Sequence, residues 1–358
     1  MNQYITLSKQ DPLFQSYLLG TFSQSEVALP VQNLNVGTES EKITFEIKPK
    51  SEIKRPNNLL FYTQLFRVHN FIMVLFPLLL VLVKNYADHR LHQVESVFLA
   101  AFGVVCGFIA ANLRNDYLDH LKGFDRIHLE AGSRSIQNGW ITAASMRQLS
   151  YSFLALSLFL ALPLVWKQPS LIFIILFALV ISLWAQFGRK TSFKYQIGGE
   201  LSVFILFGPL LTLGYQVAMG SGWDFEVLAL GALWGWLLLF LIHLKNLSHL
   251  MPLSQGKFSN TITWMGFDRA RGFISLWWFL FIVFYFLYHL KHAGLYWGWY
   301  LSLTLLFFST RFWVKIKTLK SPIGSEVLKL NRIGRRLFLL AAFLWTLENI
   351  WYAISWNP

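Results

Sequence analysis

Nine apolar segments tile the chain after residue 58, at about 60–83, 94–118, 146–166, 170–187, 199–218, 226–247, 273–290, 294–313 and 335–355. About 20 residues of helix cross the hydrocarbon core of a bilayer, and a backbone in lipid must satisfy its own hydrogen bonds, so runs of this length and number are expected to form membrane-spanning helices. Only 14% of the 358 residues are charged and 55% are hydrophobic, against about 25% charged in an ordinary soluble domain, which excludes a water-soluble globule. The expectation is an all-α membrane protein of nine transmembrane helices, with the lipid bilayer as its solvent. The second and sixth segments carry Gly and polar residues that a purely lipid-facing helix has no use for, so they are expected to line something other than lipid.

Residues 1–58 differ in kind. They hold Ser, Gln, Asn and six acids, and end in Lys48-Pro49-Lys50-Ser51-Glu52-Ile53-Lys54-Arg55-Pro56. No basic start, apolar stretch and cleavage site of a secretory signal is present. This composition predicts a weakly ordered cytoplasmic extension, with a short surface helix near Leu13–Phe22, joined to a membrane domain over 59–358. It is expected to take no part in chemistry, so that a chain starting near Pro56 keeps ligand binding. The lone Cys106 lies in an apolar run and supports neither an intrachain disulfide nor a thiolate metal site.

The formal charge of +13 would suggest nucleic acid in a soluble protein, but its placement points to the membrane. Counted by side, 27 of the 31 Lys and Arg fall in the extension with the start of segment one and in the links after segments two, four, six and eight, and only Lys84, Arg90, Lys167 and Lys291 fall opposite. The positive-inside rule then places the N-terminus in the cytoplasm and the C-terminus outside, in the cytoplasmic (inner) membrane, with no nucleic-acid partner. The dense set from Arg311 to Arg336 reads as an anchor beside anionic lipid.

The chemistry concentrates at the end of the second segment. Asn112, Asn115, Asp116 and Asp119 recur at i, i+3, i+4 and i+7 and share one helix face, and Asp125 follows beyond Gly123. Carboxylates at membrane depth demand a compensating cation or a water-filled cavity. One resolution is a solvated helix end whose acids pair with Arg114, Lys122 and Arg126. The other, favoured because three carboxylates and two amides exceed what capping needs, is a site for Mg²⁺ and phosphate with Asn112, Asp116, Asp119 and Asp125 as oxygen ligands.

Asn112-xxx-Asp116-xx-Asp119 followed by Gly123-x-Asp125 resembles the first aspartate-rich motif of the UbiA superfamily of intramembrane prenyltransferases. The form is similar to that of the 1,4-dihydroxy-2-naphthoate prenyltransferases of menaquinone synthesis. Arg134-xx-Gln137-x-Gly139-x-Ile141-Thr142 continues the resemblance, as do Tyr195-x-Ile197-Gly198-Gly199-Glu200 and Phe207-Gly208-Pro209. The resemblance implies nine helices around a central cavity open to the cytoplasmic side, holding a polyprenyl diphosphate beside an aromatic quinone precursor. It implies Mg²⁺-assisted ionisation with Asn112, Asp116 and Asp119 as catalytic residues, and Arg67, Asn115, Lys122, Arg134, Arg189, Lys194 and Tyr195 as candidates for binding substrate.

The family's second aspartate-rich motif is missing. The Gly256-Lys257 pair that follows it is present, yet Ser248 and Pro252 stand where the aspartates belong, and no acid occurs from 227 to 267. Lys245 and Lys257, or His243 and His249 if protonated, are then candidates to meet the diphosphate directly. His243 and His249, six residues apart, diverge by about 120° on a helix and make a poor metal pair. The alternative is a non-catalytic UbiA-fold subunit that binds an isoprenoid or scaffolds a complex.

Overall fold

The computed structural model describes residues 3–127, 132–187, 193, 196–256, 258–292 and 295–355. In chain order the elements are β1 (Gln3–Ser8), α1 (Phe14–Leu19), β2 (Glu26–Leu34), β3 (Lys42–Pro49), α2 (Asn58–Leu65), α3 (Ile72–Ala87), α4 (Val94–Lys122) and α5 (Phe124–Ile127). There follow α6 (Ala143–Lys167), α7 (Leu171–Ser182), α8 (Leu201–Phe207), α9 (Pro209–Ala218), α10 (Phe225–Ser248), α11 (Leu250–Gln255), α12 (Thr261–His292), α13 (Leu295–Thr318) and α14 (Ser325–Ser355). The chain divides into two compact units. One comprises Met1–Phe71, Gly103–Phe159 and Gln255–Lys257, and the other Ile72–Phe102, Leu160–Ser254 and Phe258–Pro358.

The first unit overturns the expectation of a weakly ordered extension. Ile43, Phe45 and Ile47 alternate along β3 and put one apolar face inward, buried to 0%, 1% and 8% exposure. β3 is the centre of an antiparallel sheet of order β1-β3-β2, with Gln3 opposite Ile47 and Leu34 opposite Lys42. Pro30, which has no N–H to give a ladder, sits at the irregularity between Pro30 and Gln32 on the edge strand β2. Helix α1 covers the inner face with Phe14 and Leu18, one turn apart, both buried rather than on the surface. A polar average over 58 residues concealed a core of six side chains, three of them alternating along β3, and that core is enough to order the segment once helices adjoin it.

The predicted first span is broken. Asn57 caps α2 by accepting from the Leu60 N–H at 2.8 Å, and the helix stops where Arg67 enters the left-handed region at φ 52°. α4 ends at Gly123, whose φ of 87° and close approach to Val36 admit no side chain. Phe61, Leu65, Leu113, Tyr117 and Met146 form the apolar core between α2, α4 and α6.

In the second unit α10 is central, packing on α8, α9, α12 and α14. α8 and α9 are one predicted span split at Gly208-Pro209, and α12 contains a break at Gly266. Among the described residues seven helices are long and apolar enough to cross a membrane, and Leu171–Ala185 is a shorter apolar helix. A helical membrane architecture therefore holds.

Candidate active site

All of the acid cluster belongs to the first unit. α4 carries Asp116 and Asp119 on one face, and α5 brings Asp125 back after the Gly123 turn; the three are 2%, 4% and 1% exposed. Buried carboxylates need partners, and Asp116 finds its own across the chain. Arg67 forms a buried ion pair with Asp116 Oδ1, while the Ser133 N–H donates to Asp116 Oδ2 at 3.2 Å. Asn115 donates to Asp119 Oδ2 at 2.8 Å, and Arg134 donates to the Asp125 backbone carbonyl at 2.7 Å.

The left-handed turn at Arg67 thus delivers a cation to an acid 49 positions away. Burial pulls the Arg67 guanidinium below its ordinary value, opposed by the nearby Asp125 and Asp119 charges. Arg134 behaves alike, lowered by burial and supported by Asp125. Gly132, at φ 71°, closes the cluster: a Cβ there would lie 2.8 Å from Asp125 Oδ2 and 3.2 Å from Arg67 Nη2. Asp116, Asp119 and Asp125 therefore lie buried with the guanidinium groups of Arg67 and Arg134 close by.

Of the basic residues expected to pair with these acids, Arg126 has a partner outside the cluster. Arg126 pairs with Glu41 at 2.8 Å, and Arg114 lies over the rings of Tyr117 and Tyr151 at 4.9 and 5.5 Å. Lys122 is half-buried in the last turn of α4. Among the described residues no three His, Cys, Asp or Glu side chains converge as a metal cage. The donor set does fit a hard cation held through one or two carboxylates, with its other positions left to water and phosphate. Asn112 Nδ2, buried with no hydrogen-bond partner on the same face as Asp116 and Asp119, is a donor suited to a phosphate oxygen beside such a cation.

Of the remaining candidates, Lys245 is exposed on α10 in the second unit. Arg189, Lys194, Tyr195 and Lys257 lie outside the described residues. Where the second acidic motif is absent, Ser248 instead closes α10 by donating to the Lys245 carbonyl at 2.7 Å, and Asn331 donates to the Ser248 hydroxyl at 3.2 Å. His243 is buried against Phe273 and Trp277. Glu200 takes a structural part: Oε2 accepts from the Thr261 hydroxyl at 2.9 Å, and Oε1 from the Thr261 N–H and Asn246, both at 3.2 Å. Glu41, which the sequence reading passed over, carries no local signal, because its partner lies 85 positions on.

Solved structures with a similar fold include a digeranylgeranylglyceryl phosphate synthase at 15% identity and TM-score 0.55, covering 81% of this chain and 97% of that one. A UbiA homologue from Archaeoglobus fulgidus solved with GPP and Mg²⁺ matches at 14% identity and TM-score 0.55, covering 79% and 98%. The same homologue with DMAPP and Mg²⁺ matches at 13% and TM-score 0.52, again over 79% and 98%. No curated protein matches the chain. The model of the UbiA prenyltransferase family matches residues 74–352, which contain both helices of the acid cluster and the break at Gly208-Pro209, and the chain belongs to that family.

Proposed function

We propose that this protein is a membrane prenyltransferase moving a polyprenyl group from its diphosphate to an aromatic quinone precursor of the dihydroxynaphthoate type. The observation that carries the reading is the buried cluster of Asp116, Asp119 and Asp125 with Arg67 and Arg134. The acceptor class rests on the resemblance of Asn115-Asp116-Tyr117-x-Asp119 to the dihydroxynaphthoate branch. The A. fulgidus homologue was solved with an allylic diphosphate and Mg²⁺, which supports the same ligand class here.

In the reaction the C1–O bond of the prenyl diphosphate breaks, the diphosphate leaves with the electron pair, and a ring carbon of the acceptor bonds to C1 and loses its proton. Mg²⁺, when bound by Asn112, Asp116, Asp119 and Asp125, supplies charge to the departing diphosphate. Arg67 and Arg134 add fixed donors for its oxygens, and Lys122, Lys194, Lys245 and Lys257 are the further candidates that the sequence offers. Arg67 holds Asp116 in place before substrate arrives. Tyr195 and Asn115 orient the substrates and Asp119 respectively. The protein lies in the inner membrane with its N-terminus in the cytoplasm.

The second reading, a non-catalytic isoprenoid-binding or scaffolding subunit, draws on the absence of any acid from 227 to 267. One assay separates the two. Purified protein given labelled geranyl diphosphate, Mg²⁺ and dihydroxynaphthoate should form a prenylated product. Absence of transfer to every member of a panel of quinone precursors would replace the enzyme with the subunit.

A further inference from the structure

The N-terminal sheet lies outside the matched family segment, yet it touches the acid loop at several independent points. Arg126, next in sequence to Asp125, has no exposed side-chain surface, and Glu41 from the β2–β3 connection meets it at 2.8 Å while itself only 6% exposed. The same guanidinium donates to Asn33 Oδ1 at 3.4 Å and to the Leu121 carbonyl at 3.3 Å, so it pins β2 to the end of α4. Val36, between β2 and β3, fills the space above Gly123. His120 meets the Leu18 carbonyl at 3.0 Å, and Leu121 packs into the core of the sheet. Further along, Gly139 sits against Val27 and Leu29, and the Trp140 indole donates to the Lys54 carbonyl at 3.2 Å.

Charge decides what these contacts are for. Asp125 has Arg126 as its chain neighbour and Arg134 and Arg67 nearby. A buried guanidinium without an acid would be strongly destabilising and would seek the closest carboxylate. Glu41 removes that demand.

We infer that the sheet is a positioning element of the acid cluster, in which Glu41 neutralises Arg126 and so leaves Asp125 to Arg67 and Arg134. This reverses the expectation that the extension takes no part in the chemistry. In its consequence for ligand it rests on the proposed diphosphate site; in its structural content it stands alone. Glu41 and Arg126 are positioning residues, acting through Asp125.

The test uses the full-length chain and two readouts. Hydrogen exchange is followed at the Arg126 and Ile127 amides, which donate to the Gly123 carbonyl at 3.1 Å. Affinity for geranyl diphosphate with Mg²⁺ is measured on the same samples. Glu41→Gln, which keeps shape and removes charge, should speed exchange at both amides by about tenfold through local opening and weaken binding by a similar factor. Glu41→Gln combined with Arg126→Met removes the stranded cation and should restore both. Glu39→Gln, on the exposed partner of Lys9, should leave both at wild-type values. The inference fails if Glu41→Gln leaves exchange unchanged, if the double variant is no better than the single, or if exchange rises while affinity holds. If the wild-type chain itself does not bind geranyl diphosphate, the proposed function falls, and the exchange results alone decide the inference.

Discussion

The first unit holds two buried ion pairs, Arg67 with Asp116 and Arg126 with Glu41, and this makes single substitutions there costly. Removing one member of a buried ion pair strands the other, at about 3–5 kcal/mol, whereas replacing both with apolar groups of similar volume is near neutral. Arg67→Met should therefore lower unfolding stability in detergent by about that amount, and Arg67→Met with Asp116→Leu should recover much of it. Equal losses in the single and double variants would show that the pair is not a unit. Gly132 makes a second residue-scale prediction. Its left-handed backbone is unfavourable for alanine, and the added methyl would also meet the Asp125 carboxylate, whereas Gly222 has a similar φ of 73° with nothing within 4 Å. Gly132→Ala should then reduce binding of geranyl diphosphate far more than Gly222→Ala, separating the clash from backbone strain. At this scale the helical spacing of Asn112, Asp116 and Asp119 made their common face legible in the sequence. The partners were not legible, since Arg67, Ser133 and Glu41 reach the acids and their neighbours through folding over long stretches of chain.

Helices in the second unit approach one another through glycine. A Cβ on Gly231 of α10 would fall 2.1 Å from the Thr212 hydroxyl of α9 and 2.8 Å from the Gly208 carbonyl, and one on Gly235, a turn further, 2.8 Å from the Phe204 carbonyl. Small residues one turn apart let backbones pack closely where lipid provides no hydrophobic drive between helices. Gly231→Ala should lower unfolding stability by about 1–3 kcal/mol through overpacking. Gly272→Ala on α12, with nothing within 4 Å, should be neutral or raise it by up to about 1 kcal/mol through helix propensity. A thermal or denaturant melt of both variants in the same detergent checks the contrast. Hydropathy placed α4, α6 and α10 well, because a long apolar run has few alternatives in lipid. It drew the α2–α3 and α8–α9 regions as continuous spans, since the breaks at Arg67 and Gly208 arise from contacts that periodicity does not encode.

For the whole molecule, the uneven placement of Lys and Arg makes a topological prediction. Cysteines introduced at Asn138 and Lys167, both exposed and at opposite ends of α6, should be labelled from the cytoplasmic and the outer side respectively. Labelling of both from one side would reverse or abolish the assigned orientation. Apolar length, charge asymmetry and the spacing of acids on one helix are properties of the chain taken locally, so the sequence by itself determined a helical membrane protein, the helix that carries the acid face, and the family its motifs resemble. Which cation answers which acid was decided by tertiary structure, because Arg67 with Asp116 and Glu41 with Arg126 are joined only after distant segments meet. The ordering of the N-terminal sheet was decided there too: its apolar face of Leu7, Phe14, Leu18, Ile43, Phe45 and Ile47 is too small to stand out in composition, and it gains a partner only where Leu121 and the end of α4 adjoin it.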